Sequence, residues 1–190
     1  MPRPSTREKI IEAGTALFHR TGFNGCAVED ITNAAGVPKG SFYSHFKSKE
    51  LLLLESMDRY LVAGNLDRLA DRSTPPLRRL KKYFEALGAD FAGSNYQGGC
   101  LYGNLASEVA DHSPEVRAKL GKIFTDWVDL VASVIREGQS SGDIPSTRDA
   151  RTLAGFIISA WQGTLLRVRA TRDGEAVKEF QRCAFGVLLK

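Results

Sequence analysis

The chain has 190 residues, a net charge of +4 and a pI near 9.0, with 43% hydrophobic and 25% charged residues. This balance excludes wholesale disorder, a collagen-like repeat and a disulfide scaffold, and a chain of this length buries roughly 70% of its unfolded surface without needing disulfides or a metal to fold. Its three cysteines, an odd number, leave at least one thiol unpaired, and with no secretory signature the expectation is reduced thiols in a cytoplasmic protein. The N-terminal Met-Pro-Arg-Pro-Ser-Thr-Arg-Glu has charge but no apolar stretch behind it, so no signal peptide is expected. No apolar run approaches the length of about 18 residues that a membrane helix needs.

Apolar spacings of three and four predominate and strand-like alternation is scarce, so the predicted fold class is all-α. Ser5 and Glu8 form a capping-box pattern before a first helix. Ile10, Ile11, Gly14, Leu17 and Phe18 line its buried face, and Gly22 ends it. A second, short helix is predicted from Val28 to Ala35, stopping at Gly36. Val37-Pro38 breaks the chain, and a third short helix runs from Lys39 to Phe46. Ser48 caps a fourth helix, for which Leu51, Leu52, Leu54 and Met57 are the expected buried face. Pro75-Pro76 opens a helix towards Phe91, residues 94–99 read as a loop, and Leu101 to Ala110 as a helix. Ser113-Pro114-Glu115 is a favoured helix start, and that helix is expected to reach Arg136. Two last helices span Thr147 to Thr171 and Glu175 to Leu189.

Two short helices around a Gly36-Val37-Pro38 corner are a helix-turn-helix pattern. Glycine takes the positive φ of such a corner, and Val37 is expected to plug a small core with Ile31, Ala34 and Phe42. From Gly36 to Lys49 there are three lysines and no acid. A helix so charged suits the major groove of double-stranded DNA. Lys39 and Ser41, near its start, are placed for base edges, and Gly40 for close backbone approach. Ser44 shares the accessible side, and Tyr43, His45, Lys47 and Lys49 suit phosphates, which set register rather than sequence. Thr32, on the second helix, is a candidate for the opposite strand's backbone. The competing reading is a merely solvated helical face.

The run from Thr6 to Met57 resembles the N-terminal domain of TetR-family transcriptional regulators. Phe18, Gly22-Phe23, Ile31, Ala35-Gly36-Val37, Gly40, Tyr43, Phe46, Lys49 and Leu51 all fall in register. Thr32 and Cys26 depart from the usual alanine and threonine. The resemblance implies a homodimer on a pseudo-palindromic operator, repressing nearby genes until a small molecule releases it. It divides the chain into a DNA-binding domain, 1–47, and a helical effector and dimerisation domain, 48–190.

In the C-terminal part, Gly98-Gly99-Cys100 opens a helix. Free backbone N–H groups and the helix dipole at such a position stabilise a thiolate. Residues 98–138 resemble a TetR subgroup that includes repressors responsive to reactive electrophiles and acrylate-like compounds, which implies a sensing role for Cys100. A small buried thiol is an equally good reading of the residue itself. Among the aromatics, Tyr83, Tyr102, Trp127 and Trp161 are candidates to line an effector cavity, although core packing explains most such rings. Arg167 and Arg169 are candidate cations for the thiolate, whereas Cys26 and Cys183 read as packing. The apolar series Phe156, Ile157, Ile158, Ala160, Trp161, Leu165, Leu166 and Val177, Phe180, Ala184, Val187, Leu188 suggests a two-fold four-helix interface.

An enzyme is the first rival reading. His19, His45 and His112 lack ligand spacing, and no nucleophile elbow, phosphate loop or dinucleotide fingerprint occurs. No cofactor or metal is therefore expected. A protein-interaction module with an incidental basic patch is the second rival, and activation rather than repression stays open. The expected mechanism is allosteric, with the helix from Lys49 linking effector site to DNA-binding module and a coupling of about 1–3 kcal/mol.

Overall fold

The computed structural model describes residues 4–62 and 66–190; residues 1–3, on which the signal-peptide expectation bears, lie outside them. Among the described residues there are ten α-helices and no strand: α1 Thr6–Thr21, α2 Val28–Ala35, α3 Lys39–His45, α4 Lys49–Val62, α5 Asp67–Ala70, α6 Pro76–Gly93, α7 Leu101–Glu108, α8 Pro114–Ser141, α9 Ala150–Thr171 and α10 Glu175–Cys183. A π-helical turn, Ala184–Leu188, closes the chain. No helix among them is long and apolar enough to cross a membrane.

The helices form two compact units. The first comprises Met1–Ala63 and Cys100–Leu120. In it, Ser5 Oγ accepts the Glu8 N–H at 3.2 Å, satisfying one of the donors a helix start leaves open. Ile10, Ile11, Gly14, Leu17 and Phe18 are the buried face of α1, as their spacing predicts. Gly14 is there for space: a Cβ on it would lie 2.8 Å from Leu52 Cδ2, so α1 and α4 pack at close range. The buried face of α4 is Leu52, Leu53, Ser56 and Met57, while Leu51 is 42% exposed and Leu54 half-buried. This corrects the expected face. Four consecutive leucines carry no phase, and the packing against α1 chooses it.

Gly36 adopts φ 64°, and the corner closes with Gly36 N–H on Asn33 O at 3.1 Å and Val37 N–H on Thr32 O at 3.0 Å. Phe42 and Ile31 are fully buried, and Phe42 meets Phe46 at 5.7 Å between ring centroids. Val37 is half-buried, and Ala34 is exposed, not part of that core. Only one face of so short a helix is covered, and Ile31 with Thr32 takes it.

The second unit comprises Gly64–Gly99 and Gly121–Lys190. Its core is a cluster of rings: Trp161 lies 5.5 Å from Phe84 and 5.0 Å from Phe180, and Phe84 lies 5.9 Å from Phe185. Arg79 is buried there at 2% exposure; it donates to Leu69 O at 3.2 Å and pairs with Glu137, so α5, α6 and α8 meet at one guanidinium. Asp143 accepts the Leu77 N–H at 2.7 Å, capping α6 from a distant loop. Asp149 Oδ2 accepts the Thr152 N–H at 2.7 Å and starts α9, three residues later than periodicity alone places it. Helix α8 runs five residues past Arg136, because Gln139 is held inside it by bonds to Ser146 O and Arg148 O.

Candidate nucleic-acid interface

The candidate recognition element is α3, seven residues long, with Phe42 as its buried residue. Around it the chain is displayed: Lys39, Gly40, Ser44 and His45 of α3 are exposed, Tyr43 is 59% exposed, Ser41 is half-buried, and Lys47, just past the helix, is exposed. Apart from the buried Phe42, this short stretch is open or half-open to solvent, and α3 carries no acid. One neighbouring acid intrudes. Glu29 of α2 accepts from Lys39 Nζ at 3.2 Å, between side chains 58% and 62% exposed. An ion pair so exposed is worth little and yields readily to a phosphate or a base edge.

Two expected DNA contacts are corrected. Thr32 is 1% exposed and its hydroxyl donates to Glu29 O at 3.1 Å, so its side chain is spent inside the helix pair. Lys49 Nζ donates to Phe23 O at 2.7 Å and to Cys26 O at 2.8 Å, and lies 4.2 Å from the Phe23 ring centroid. Its charge holds the loop between α1 and α2; a lysine used this way looks in sequence like any basic residue flanking a recognition helix.

Several pairings in this unit join residues far apart in the chain. Arg7 forms a double hydrogen bond with Glu55 at 2.5 and 2.6 Å and stands 5.2 Å over the Phe46 ring, tying α1 to α4 and to the end of α3. Arg59 pairs with Glu8 at 2.9 Å along the same seam. Glu108, at the end of α7, accepts the N–H of Phe23 at 2.9 Å and of Asn24 at 2.7 Å. Ser113 Oγ bonds Glu50 Oε1 at 2.5 Å. Ser113 carried a local signal as a helix start, which its bond from the Val116 N–H fulfils, but its partner Glu50, like those of Arg7, Arg59 and Glu108, lies more than 45 residues away.

The candidate effector residues fall in both units. Cys100 is the residue before α7, 9% exposed, preceded by Gly98 and Gly99 at φ 81° and 74°. Tyr102 donates to Met57 O at 2.7 Å and packs edge-on against Tyr60, which ties α7 to α4. Tyr83 and Trp161 are each 2% exposed and sit against Phe84, inside the aromatic core. Trp127 stacks on Phe124 at 6.5 Å, and its buried indole N–H has no protein partner. Arg167 is engaged by Glu179 at 2.7 Å. Burial pushes the Cys26 thiol above its ordinary range, more than the nearby Lys49 pulls it down.

Residues 10–56 match the family described as "Bacterial regulatory proteins, tetR family", and residues 76–184 match the "Tetracyclin repressor-like, C-terminal domain". The chain belongs to the TetR family. As a TetR-family protein it is a DNA-binding transcriptional regulator, and the families it matches are those of regulators, not enzymes. It is 40% identical to the HTH-type transcriptional repressor DhaR of Mycobacterium sp. strain GP1, over all of this chain and 95% of that one. Among solved structures it resembles the regulatory protein TetR from Rhodobacter sphaeroides, with a TM-score of 0.87, 29% identity and 95% and 97% of the two chains covered. The reduced form of Escherichia coli NemR is similar at a TM-score of 0.86, with 25% identity over 94% of each chain.

Proposed function

We propose that this TetR-family regulator is a homodimeric repressor that holds a pseudo-palindromic operator through α3 and leaves it when an effector acts on the C-terminal part. The observation that carries the DNA half is the acid-free face of α3, fixed to α2 by the corner at Gly36. In this reading residues 1–47 bind DNA and 48–190 bind the effector and the second subunit. Lys39, Gly40 and Ser41 face bases, and Tyr43, Ser44, His45 and Lys47 face phosphates. The repressor names of the similar proteins DhaR and NemR support the direction of regulation.

The dimer reading rests on the face of α9, α10 and the terminal turn, where Phe156 is 62%, Leu166 60% and Val187 71% exposed. A second copy of the chain covers such a face symmetrically. For the effector we favour a small molecule or electrophile acting at the segment headed by Cys100. A similar protein studied in a reduced form lends weight to a thiol-linked switch.

Fluorescence anisotropy against the intergenic DNA upstream of its own gene, beside a scrambled duplex, tests the reading. Specific binding with steep salt dependence is expected. Equal affinity for the two duplexes, and for duplexes from the neighbouring operons, counts against the regulator of local genes proposed here. Release by a mild electrophile in the wild type but not in Cys100→Ser identifies the thiol as the trigger; release in both turns the search to a reversible ligand.

A further inference from the structure

The loop 22–27 joins α1 to the helix-turn-helix, and its polar backbone groups must find partners outside regular structure. Two charged side chains supply them. Lys49 of α4 takes the carbonyls of Phe23 and Cys26, and Glu108 of α7 takes the N–H groups of Phe23 and Asn24. A third charged side chain, Asp30, accepts the Ala27 N–H at 2.7 Å near the start of α2. The loop is therefore shaped by an anion on its donors and a cation on its acceptors, each from a different helix.

Gly22 fits the same arrangement. It has φ 81°, and a Cβ on it would lie 2.6 Å from Glu108 Oε2. The carboxylate occupies the space that any other residue at 22 would claim. Hydrogen bonds to a charged acceptor are about twice as strong as neutral ones, so this seat is a firm one. Helix α7 is itself fastened near its start, by the Tyr102 hydroxyl on Met57 O.

We propose that Glu108 is a positioning residue for operator binding: its carboxylate, lodged on the Phe23 and Asn24 N–H groups, sets the attitude of α2 and α3 on α1, so that α7 acts on the DNA-binding surface through this one side chain. The inference rests on the DNA-binding reading above. Operator recognition is separable from folding here, because α1, α2 and α3 each bury an apolar residue, Phe18, Ile31 and Phe42, that makes no use of the carboxylate.

The test uses the full-length chain and the duplex that the wild type enriches from a random-sequence pool, with a scrambled duplex as reference. Glu108→Ala is expected to weaken binding to the enriched duplex about tenfold, as befits lost hydrogen bonds to a charge. Binding to the scrambled duplex stays within twofold. The amides of Phe23 and Asn24 exchange faster by hydrogen-exchange NMR, while those of the α1 core do not. Glu108→Gln, which keeps one acceptor oxygen, lies between wild type and Glu108→Ala in both readouts. Faster exchange at residues 23 and 24 with operator affinity within twofold of wild type overturns the proposal. So does equal loss on both duplexes with a lowered melting temperature, the signature of a structural role. A wild type that enriches no duplex overturns the DNA-binding reading itself, and the proposal with it.

Discussion

Cys26, Cys100 and Cys183 occupy three environments, and chemistry separates them. Cys26 is 3% exposed and its thiol is held above the ordinary range by burial, so little thiolate forms near neutral pH. Its alkylation in the folded protein is expected to stay slow until the pH passes the usual thiol range of about 8.5. Peptide mass spectrometry after iodoacetamide reads this directly; labelling as fast as in the urea-unfolded chain contradicts it. The lysines divide in the same way. Lys47 is exposed, whereas Lys49 satisfies two carbonyls of the α1–α2 loop. Lys49→Met leaves those carbonyls unpaired, at a cost of about 1–3 kcal/mol. It is expected to lower the melting temperature, while Lys47→Met leaves it unchanged and instead flattens the salt dependence of DNA binding.

The helices owe their limits to partners as much as to propensity. Gly14 lets α1 approach α4, and the atom in the way of a larger residue is the tip of Leu52, a flexible group. Gly14→Ala therefore trades a small steric cost against a helix-propensity gain of about 1 kcal/mol and should come out near neutral. Gly14→Val forces the helices apart and is expected to cost about 1–3 kcal/mol in chemical denaturation. Three surface carboxylates, one capping α9 and two within α8, contribute to the acid limit. Hydrogen bonds from Thr152 hold Asp149 below the ordinary aspartate range, those from Arg151 do the same for Asp129, and those from Arg79 for Glu137. A depressed carboxylate stabilises the fold fully above its unfolded pKa of about 4 and loses that contribution as the pH falls through its lower folded value. A melting temperature flat from about pH 7 to 5 and falling below about pH 4 is the expected profile. Asp149→Asn, which keeps a cap but not the charge, should flatten the acid limb.

At the scale of the molecule, a seven-residue helix reads too few base pairs to be selective by itself, which is why the proposed repressor needs two copies on two half-sites. The apolar face that includes Phe156 and Val187 is the proposed meeting surface of two copies. Phe156→Asp is expected to yield a monomer by sedimentation and to lose operator affinity at least tenfold, with helical content by circular dichroism unchanged. A dimer that persists with full affinity places the interface elsewhere. Burying two aspartates, one from each copy, in a symmetric apolar contact is the physical basis of the expected loss.

Local chemistry was enough for the all-α class, the capped start of α1 at Ser5, the glycine corner at Gly36 and the exposed basic run of α3, because each depends on residues within one or two turns. The same locality made the family resemblance of residues 6–57 readable. It was not enough for the phase of α4, where four leucines in a row look alike until packing buries Leu52 and Leu53. Nor did it reveal that Thr32 and Lys49 serve the protein's interior, since a hydroxyl or ammonium is drawn inward only by a partner that folding brings near. Glu108 is the plainest case. In the sequence it is one acid at the end of a short helix; only the tertiary structure sets it against the backbone of residues 23 and 24, 85 and 84 positions away. Short-range signals survive in a sequence because a helix is a local object, whereas a hydrogen bond across that span exists only once the chain has packed.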